Sequence, residues 1–364
     1  MRVVIMAGGT GGHVYPALAL AKRFLHSGHS VSWIGTRAGL EAKVVPEHNI
    51  EIDWITITGL RRNGFAGWLL APVRLLRAVS QAVKIMRFRK PKVVLGLGGF
   101  ASGPGGLAAW LMRIPLVIHE QNAIAGLTNK ILAKFAARVL EAFPGTFSPR
   151  FKAQAVGNPV RPEIAAVKQK SDSDNLNILV IGGSLGALAI NQIIPESLAE
   201  FKNQALPTVW HQTGSGKFTA AKEDYQKYEI KIFTNVADLT QGGVYLAEYI
   251  DDMAAAYSWA DVLICRAGAM TVFEVAACAR PALFIPYPYA VDDHQTANAS
   301  YLVKAGGAYL IQQAELDSKK LSELIKTWQV DKKSLERMGK IAHSKHIKDS
   351  ACLVEKACLG VARA

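Results

Sequence analysis

Short apolar runs of roughly four to eight residues alternate along this chain with longer stretches whose apolar positions recur every three or four residues. Runs near 3–7, 31–35, 50–57, 92–97, 115–119 and 138–141, then near 177–181, 207–212, 244–250, 261–265, 282–285 and 307–311, read as buried strands. Helical periodicity fills most of the gaps, as in Tyr15–Ser27 closed by Gly28 and in Asp251–Ala260. Such alternation predicts parallel sheets covered on both faces, an α/β doubly wound architecture. The polar stretch VKQKSDSDN at 167–175 is the one clear composition break. It predicts a linker there, between a first domain over 1–166 and a second over 176–364. The C-terminal segment reads as helices with the option of crossing back to brace the first domain. The segment 213–243 is polar and poorly periodic toward its end, where ADLTQGG reads as a surface loop.

Four of the strands run into glycine-rich helix starts. VVIMAGGTGGHVYPALA (3–19) joins a strand to a helix through a loop that ends in His13, and LNILVIGGSLGALAIN (176–191) repeats the device about half a chain later. The repeat implies two doubly wound units in tandem, with the site expected between them. The third loop, Gly96 to Gly106, opens a helix expected at 105–113; the fourth runs from DVLIC into Arg266–Thr271, with Glu274 one turn in. Unpaired N–H groups and the helix dipole at each start suit an anion, and two such starts in the first domain fit a diphosphate-bearing ligand. Amides at 269–271 suit a leaving diphosphate. Glu274 can accept both hydroxyls of a ribose, or act as an ordinary first-turn acid that complements the dipole. A dinucleotide site would need GxGxxG and an acid closing the second strand, where this chain has Gly8-Gly9-Thr10-Gly11-Gly12 and then Thr36-Arg37. GxxxxGK[ST] is missing as well, which removes P-loop chemistry.

Charge changes the picture for the first domain alone. The 364 residues carry a net +13, and residues 1–163 hold 21 Lys and Arg against 7 Asp and Glu, while 164–364 hold 21 against 22. Between 65 and 90, Trp68, Leu69, Leu70, Val73, Leu76, Val79, Val83 and Met86 interleave with Arg74, Arg77, Lys84, Arg87, Arg89 and Lys90. That spacing suits an interfacial helix on anionic lipid, with Trp68–Leu70 as the membrane-touching edge, and it equally suits a core stripe flanked by solvated bases. Strand patterns with interleaved aromatics and bases are missing, so no nucleic-acid partner is expected. Met1 leads directly into the first strand and no apolar run reaches the length of a spanning helix, which predicts neither export nor membrane insertion. Cys265, Cys278, Cys352 and Cys358 show no CxxC spacing, which fits reduced thiols and no metal ligation.

GGTGGHVYPALALA, GLGGFASGPGG, HEQN (119–122), GNPVR (157–161), GGSLGA, EYIDDMAAAYSWAD and RAGAMTVFEVAACARPALFIPYPYAVDDHQTANA together resemble the MurG family of bacterial peptidoglycan glycosyltransferases. The resemblance spans nearly the whole chain in order. It implies the GT-B fold, two facing Rossmann-like domains with an interdomain cleft. The implied activity is transfer of N-acetylglucosamine from UDP-GlcNAc to undecaprenyl-diphospho-N-acetylmuramoyl-pentapeptide (lipid I), giving lipid II. The implied location is peripheral, at the cytoplasmic side of the inner membrane, in the company of cell-wall synthesis complexes. UDP-GlcNAc contacts are implied for Thr10, Gly11, Gly12, Asn122, Arg161, Ser184, Ile250, Ala269, Met270, Thr271, Val272, Phe273, Glu274 and Gln295. Gly9, Gly98, Gly99, Ser102 and Gly103 would meet the acceptor diphosphate. Ala267, Leu185 and His294 depart from the family's usual Ser, Gln and Gln, and 230–243 is longer than usual.

One inverting displacement requires a base for the attacking hydroxyl and stabilisation of the departing diphosphate. His13 is the expected base, with Glu120 as the alternative or as an orienting group. Arg161 and the helix at 269 take the diphosphate. No Asp-x-Asp stands at a strand end, so no metal and no cofactor are expected. Two other readings share parts of the pattern: another GT-B UDP-sugar enzyme (a diacylglycerol glycosyltransferase or a UDP-GlcNAc epimerase), and a non-catalytic UDP-sugar-binding module.

Overall fold

The computed structural model describes residues 1–57, 71–167, 175–183, 185–201, 204–239 and 241–362. Residues 168–174 of the expected linker 167–175, the edge Trp68–Leu70 and Ser184 lie outside the described residues. The chain divides into two units, Met1–Val160 with Ile347–Ala364, and Arg161–His346.

Unit 1 holds β1 (Arg2–Met6), β2 (Ser30–Gly35), β3 (Glu51–Trp54), β4 (Val93–Gly96), β5 (Leu116–Glu120), β6 (Arg138–Glu141) and β7 (Gln154–Ala155), all parallel, in the order β3-β2-β1-β4-β5-β6-β7. Its helices are α1 (Gly11–His26), α2 (Glu41–Glu47), α3 (Ala71–Arg89), α4 (Ser102–Leu111) and α5 (Leu127–Leu132). Successive strand residues point to opposite faces, and the core follows that alternation. Val3, Ile5, Val93 and Leu95 pack with Leu20 and Phe24 of α1. Val4, Met6 and Val94 pack with Val79 and Met86 of α3 and with Ala108 of α4.

Unit 2 opens with α6 (Pro162–Ala165), followed by α7 (Leu188–Ala199), α8 (Phe218–Lys227), α9 (Met253–Trp259), α10 (Ala269–Ala277), α11 (His294–Val303), α12 (Ser318–Val330) and α13 (Lys332–Ser344). Its strands are β8 (Asn177–Ile181), β9 (Thr208–Gln212), β10 (Ile232–Phe233), β11 (Gly243–Ala247), β12 (Val262–Cys265), β13 (Ala282–Phe284) and β14 (Ala308–Leu310), again all parallel, in the order β10-β11-β9-β8-β12-β13-β14. The last helix, α14 (Ser350–Leu359), returns to unit 1, where Val354 and Cys358 join the α1 face of the core and Glu355 pairs with Arg23 at 2.7 Å.

Several boundaries differ from the periodicity. The division falls at Val160/Arg161 rather than near 166, because α6 packs on α9 and α10 of unit 2. The edge strands β7 and β10 are two residues each, too short to show a period. Within the polar segment 213–243, Ala221 and Tyr225 of α8 are buried. Helices α1 and α4 begin at Gly11 and Ser102, ahead of the expected Tyr15 and Gly105, so the last glycines of both loops form first helical turns. The stripe of α3 splits along its length: Ala78, Val79, Ala82 and Met86 are core, whereas Val73 and Leu76 are 63% and 70% exposed. Arg89 is engaged by Asp53 and Glu51, leaving Arg74, Arg77, Lys84 and Arg87 exposed to solvent.

Candidate active site

Ligands of open parallel sheets bind beyond the C-terminal strand ends where the winding reverses, because loops on either side diverge there. In unit 1 that point lies between β1 and β4, and in unit 2 between β8 and β12. All four glycine-rich helix starts follow these four strands. The sequence repeat is therefore a repeat of switch points.

In unit 1 the two loops touch: a Cβ on Gly99, whose φ is +78°, would fall 2.1 Å from the Gly8 carbonyl oxygen. Buried polar side chains hold the loops from behind. The Glu41 carboxylate accepts from Gly9 N at 2.9 Å and from Thr36 N and Oγ1 at 2.9 and 2.8 Å. The Gly9 amide is thus occupied, while Thr10 gives α1 no side-chain cap and Gly11 and Gly12 stand at its open N-terminus. Ser102 is buried; its hydroxyl accepts from Gly98 N at 3.1 Å and lies 2.8 Å from Met6 O, stitching β1 to β4. Gly103 follows it in the first turn of α4.

His13 stands half-buried in the first turn of α1 with Nδ1 2.9 Å from Gln121 Oε1. Gln121 Nε2 lies 2.9 Å from His119 Nδ1 and 3.0 Å from His119 O, and His119 Nε2 lies 2.9 Å from Gly157 O. Burial holds His119 below the usual imidazole range. Glu120 is buried, and its oxygens accept from Asn122 N (3.0 Å), Asn122 Nδ2 (3.4 Å), Gly126 N (3.0 Å) and Asn129 Nδ2 (2.9 Å). Four N–H groups fill this carboxylate, which shapes the turn carrying Asn122. The GNPVR motif is shared between units: the Asn158 amide donates to Gln121 O at 3.0 Å in unit 1, and Arg161 is the residue before α6 in unit 2.

In unit 2 Gly186, at φ +66°, packs against Thr213 O so closely that a Cβ would sit 2.0 Å away. Gly268 precedes α10 with no side-chain cap, and among the described residues the N–H groups of Ala269, Met270 and Thr271 have no side-chain partner at the helix start. Val272 and Phe273 are core, and Phe273 stacks on Tyr301 with centroids 5.8 Å apart. Their side chains therefore serve packing, while the turn before them presents backbone. Glu274 is 9% exposed, accepts from the Tyr257 hydroxyl at 2.9 Å and stands 3.4 Å from an Arg161 guanidinium nitrogen. Burial raises its pKa although Arg161 and Tyr257 pull it down. Ile250 lies past the end of β11, which stops at Ala247 rather than at the expected 250, and its neighbour Tyr249 lines a cavity of about 690 Å³ together with Glu248, Tyr245 and Phe218 among others. Gln295, in the first turn of α11, accepts from Tyr287 N at 2.9 Å.

The geometry adds Glu41, Gln121 and Tyr257 to the residues expected from sequence. Signals exist for two of them: Glu41 follows Gly35 and Gly39, whose absent Cβ atoms leave its side chain room, and Gln121 belongs to a run of polar residues closing the buried strand β5. Among the described residues no cluster of His, Cys, Asp or Glu could hold a metal ion, and no helix is long and apolar enough to cross a membrane.

Comparison with known proteins follows the two units. Residues 3–141 match the glycosyltransferase family 28 N-terminal domain and residues 177–354 its C-terminal domain. A UDP-N-acetylglucosamine--N-acetylmuramyl-(pentapeptide) pyrophosphoryl-undecaprenol N-acetylglucosamine transferase of Shewanella woodyi is 48% identical over 99% of this chain and 97% of its own. The same-named protein of Shewanella loihica is also 48% identical, over the same shares. The crystal structure of Acinetobacter baumannii MurG superposes with a TM-score of 0.83 at 38% identity, covering 99% of each chain. A UDP-GlcNAc 2-epimerase from Neisseria meningitidis, 13% identical with a TM-score of 0.65 over 99% and 100% of the two chains, shares the fold alone.

Proposed function

Because this chain belongs to glycosyltransferase family 28 and to its MurG group, we infer that it transfers N-acetylglucosamine from UDP-GlcNAc to the 4-hydroxyl of undecaprenyl-diphospho-N-acetylmuramoyl-pentapeptide, making lipid II. The full-length relationship carries this reading. The two switch points support it residue by residue.

Unit 2 supplies the donor groups. The open N-terminus of α10 offers backbone N–H groups and a positive dipole end to the diphosphate, and these act most strongly on the charge that grows as UDP leaves. Arg161, held near Glu274 here, finds a stronger bidentate partner in the diphosphate. Its departure leaves Glu274, oriented by Tyr257, to accept the ribose hydroxyls. The Ile250 backbone reads the uracil edge, and Gln295 meets the sugar hydroxyls, joined by Asn122 of unit 1. Ser184 keeps its expected diphosphate contact as part of the proposal.

Unit 1 supplies the acid–base group and the acceptor loops. The muramoyl 4-hydroxyl attacks the anomeric carbon from the face opposite UDP; its proton passes to His13 as the C–O bond to diphosphate breaks. His13 is the base rather than Glu120, whose oxygens are already filled by four N–H groups. Thr10, Gly11 and Gly12 meet the donor, and the loops around Gly98 and Gly99 meet the acceptor diphosphate, with Ser102 and Glu41 holding those loops in shape.

Attachment to anionic lipid at the cytoplasmic membrane face belongs to unit 1. It rests on the excess of bases together with Val73 and Leu76 of α3, Trp110 and Leu111 of α4 and Leu127 and Ile131 of α5, exposed apolar side chains on helices packed in series. The deciding experiment supplies UDP-GlcNAc with and without undecaprenyl-linked acceptor. UDP release that needs the acceptor is expected; release without it marks a hydrolase or hydrolysing epimerase, and no release under either condition marks a binding module or, where the sugar is epimerised, an epimerase that keeps the nucleotide.

A further inference from the structure

An imidazole has two nitrogens, and only the one carrying a lone pair can take a proton. We propose that Gln121, locked by His119, is a positioning residue that holds His13 as its Nδ1–H tautomer and thereby makes Nε2 the basic nitrogen. The proposal rests on His13 being the base.

The proton positions follow from groups that can only accept. Gln121 Nε2 is 3.0 Å from the backbone carbonyl of His119, so the atom facing that oxygen is the amide NH2; the flipped amide would set two oxygens against each other at that distance. His119 Nε2 is 2.9 Å from Gly157 O and must carry a hydrogen. The Gln121 NH2 also lies 2.9 Å from His119 Nδ1, which must therefore be bare and accept the second amide hydrogen, as burial, which lowers this imidazole's pKa, favours. Both hydrogens of the Gln121 amide are now committed inward. Its oxygen is left facing His13 Nδ1 at 2.9 Å, and an amide oxygen accepts only. Nδ1 of His13 is therefore the protonated nitrogen, and Nε2 bears the lone pair. Among the described residues, the ring makes its one hydrogen bond through Nδ1.

The surroundings fix the arrangement further. The Asn158 amide donates to Gln121 O at 3.0 Å and pins the backbone that carries the relay. A Cβ on Gly98 would fall 3.1 Å from His13 Cε1, so this loop packs on the imidazole edge. Glu120, the nearest acid in sequence, is satisfied by N–H groups and draws no proton from the relay. A base oriented by a third group is the general form of the activated dyad, and in the serine-protease triad a wrong tautomer lowers kcat by roughly four orders of magnitude. An amide orients without contributing charge, so the expected effect here is smaller.

The test is nitrogen NMR of 15N-histidine-labelled protein, with His13 assigned by its loss in His13→Gln, at a pH where the ring is neutral. The wild type should show the Nδ1–H form. Gln121→Leu should shift the ring toward Nε2–H and lower kcat roughly 10–100-fold, with the KM for UDP-GlcNAc within about twofold. His119→Asn, which keeps an acceptor where Nδ1 stood, should retain more activity than His119→Leu. An Nε2–H ring in the wild type overturns the proposal without any variant, and so does wild-type kcat in Gln121→Leu. A fall in kcat with the Nδ1–H form intact in Gln121→Leu also overturns it, by exposing a merely structural role. If His13→Gln itself turns over like the wild type, the base assignment fails first and the relay with it; loss in His13→Gln beside normal Gln121→Leu removes the relay alone.

Discussion

The two units use the same topological device for different chemistry. Each places two glycine-rich helix starts at the reversal point of a seven-stranded parallel sheet. In unit 1 the side chains behind the loops are Glu41, Ser102, Glu120 and the His119–Gln121 pair, and the group brought forward is an imidazole. In unit 2 the loop at α10 is backed by packed apolar residues, and the groups beside it are a guanidinium and a buried carboxylate. In the roles proposed above, one crevice moves a proton and the other holds an anionic nucleotide. The sheet fixes where a ligand can bind, and a few side chains one layer back decide what is done to it.

The sharpest way to break this division of labour is at His13. His13→Ala should lower kcat roughly 10²–10⁴-fold, the range for losing a general base, with UDP affinity unchanged because the role proposed for His13 is toward the acceptor hydroxyl and not the nucleotide. A parallel loss of UDP affinity, read by calorimetry, would merge the two roles. Arg161→Ala should come next, losing about 2–4 kcal/mol of transition-state stabilisation in kcat/KM. EDTA should leave the wild type active if, as proposed, Arg161 and the α10 dipole take the leaving charge; complete loss on chelation would sink that account.

Donor reading is the subtler half. dUDP- and TDP-linked sugars should bind worse than UDP-GlcNAc by roughly 1–3 kcal/mol, because each would leave unpaired a polar group proposed to read the nucleotide, the Glu274 carboxylate or the Ile250 backbone. Equal competition by UDP and TDP would remove the assignment. Glu274→Gln should weaken UDP binding over the same range of about 1–3 kcal/mol while leaving the ligand-free protein at least as stable at neutral pH. The sign follows from burial: the folded carboxyl's pKa lies above its ordinary value, so the folded state binds the extra proton and stability falls as pH rises through that window. Melting curves from pH 4 to 7 should lose that slope in the variant. A Tm drop in Glu274→Gln at neutral pH would mean that the pairing with Arg161 outweighs burial.

The smallest effect per residue belongs to the membrane contrast between a basic unit 1 and a near-neutral unit 2. A few bases at roughly 1 kcal/mol each and a few inserted side chains give reversible attachment, and salt screens the first contribution only. Binding to anionic vesicles should weaken with salt. Leu76→Ser with Trp110→Ser should reduce it further, as should serine at Trp68, Leu69 and Leu70, with UDP affinity kept. Normal vesicle binding by both variants would move the contact elsewhere on unit 1.

Much of this architecture was legible in the chain because local chemistry decides it. Runs of Val, Ile and Leu too short for helices become buried parallel strands, and a glycine loop between such a run and a helical period makes an open helix start wherever the fold carries it. The motifs around His13 and Glu274 sit on those starts, so their positions followed. Whether an apolar stripe is core or surface could not be read in the same way: Val79 and Leu76 look alike on α3, and only packing buries the first and exposes the second. The same holds for polar residues. Glu120 reads as a free acid beside a histidine, yet four N–H groups from a turn that closes later in the chain fill it. Nor are the partners of Gln121 and Glu41 written beside them, because a hydrogen-bond partner is set by distance in space, and that distance exists only once β2, β1, β4 and β5 lie side by side.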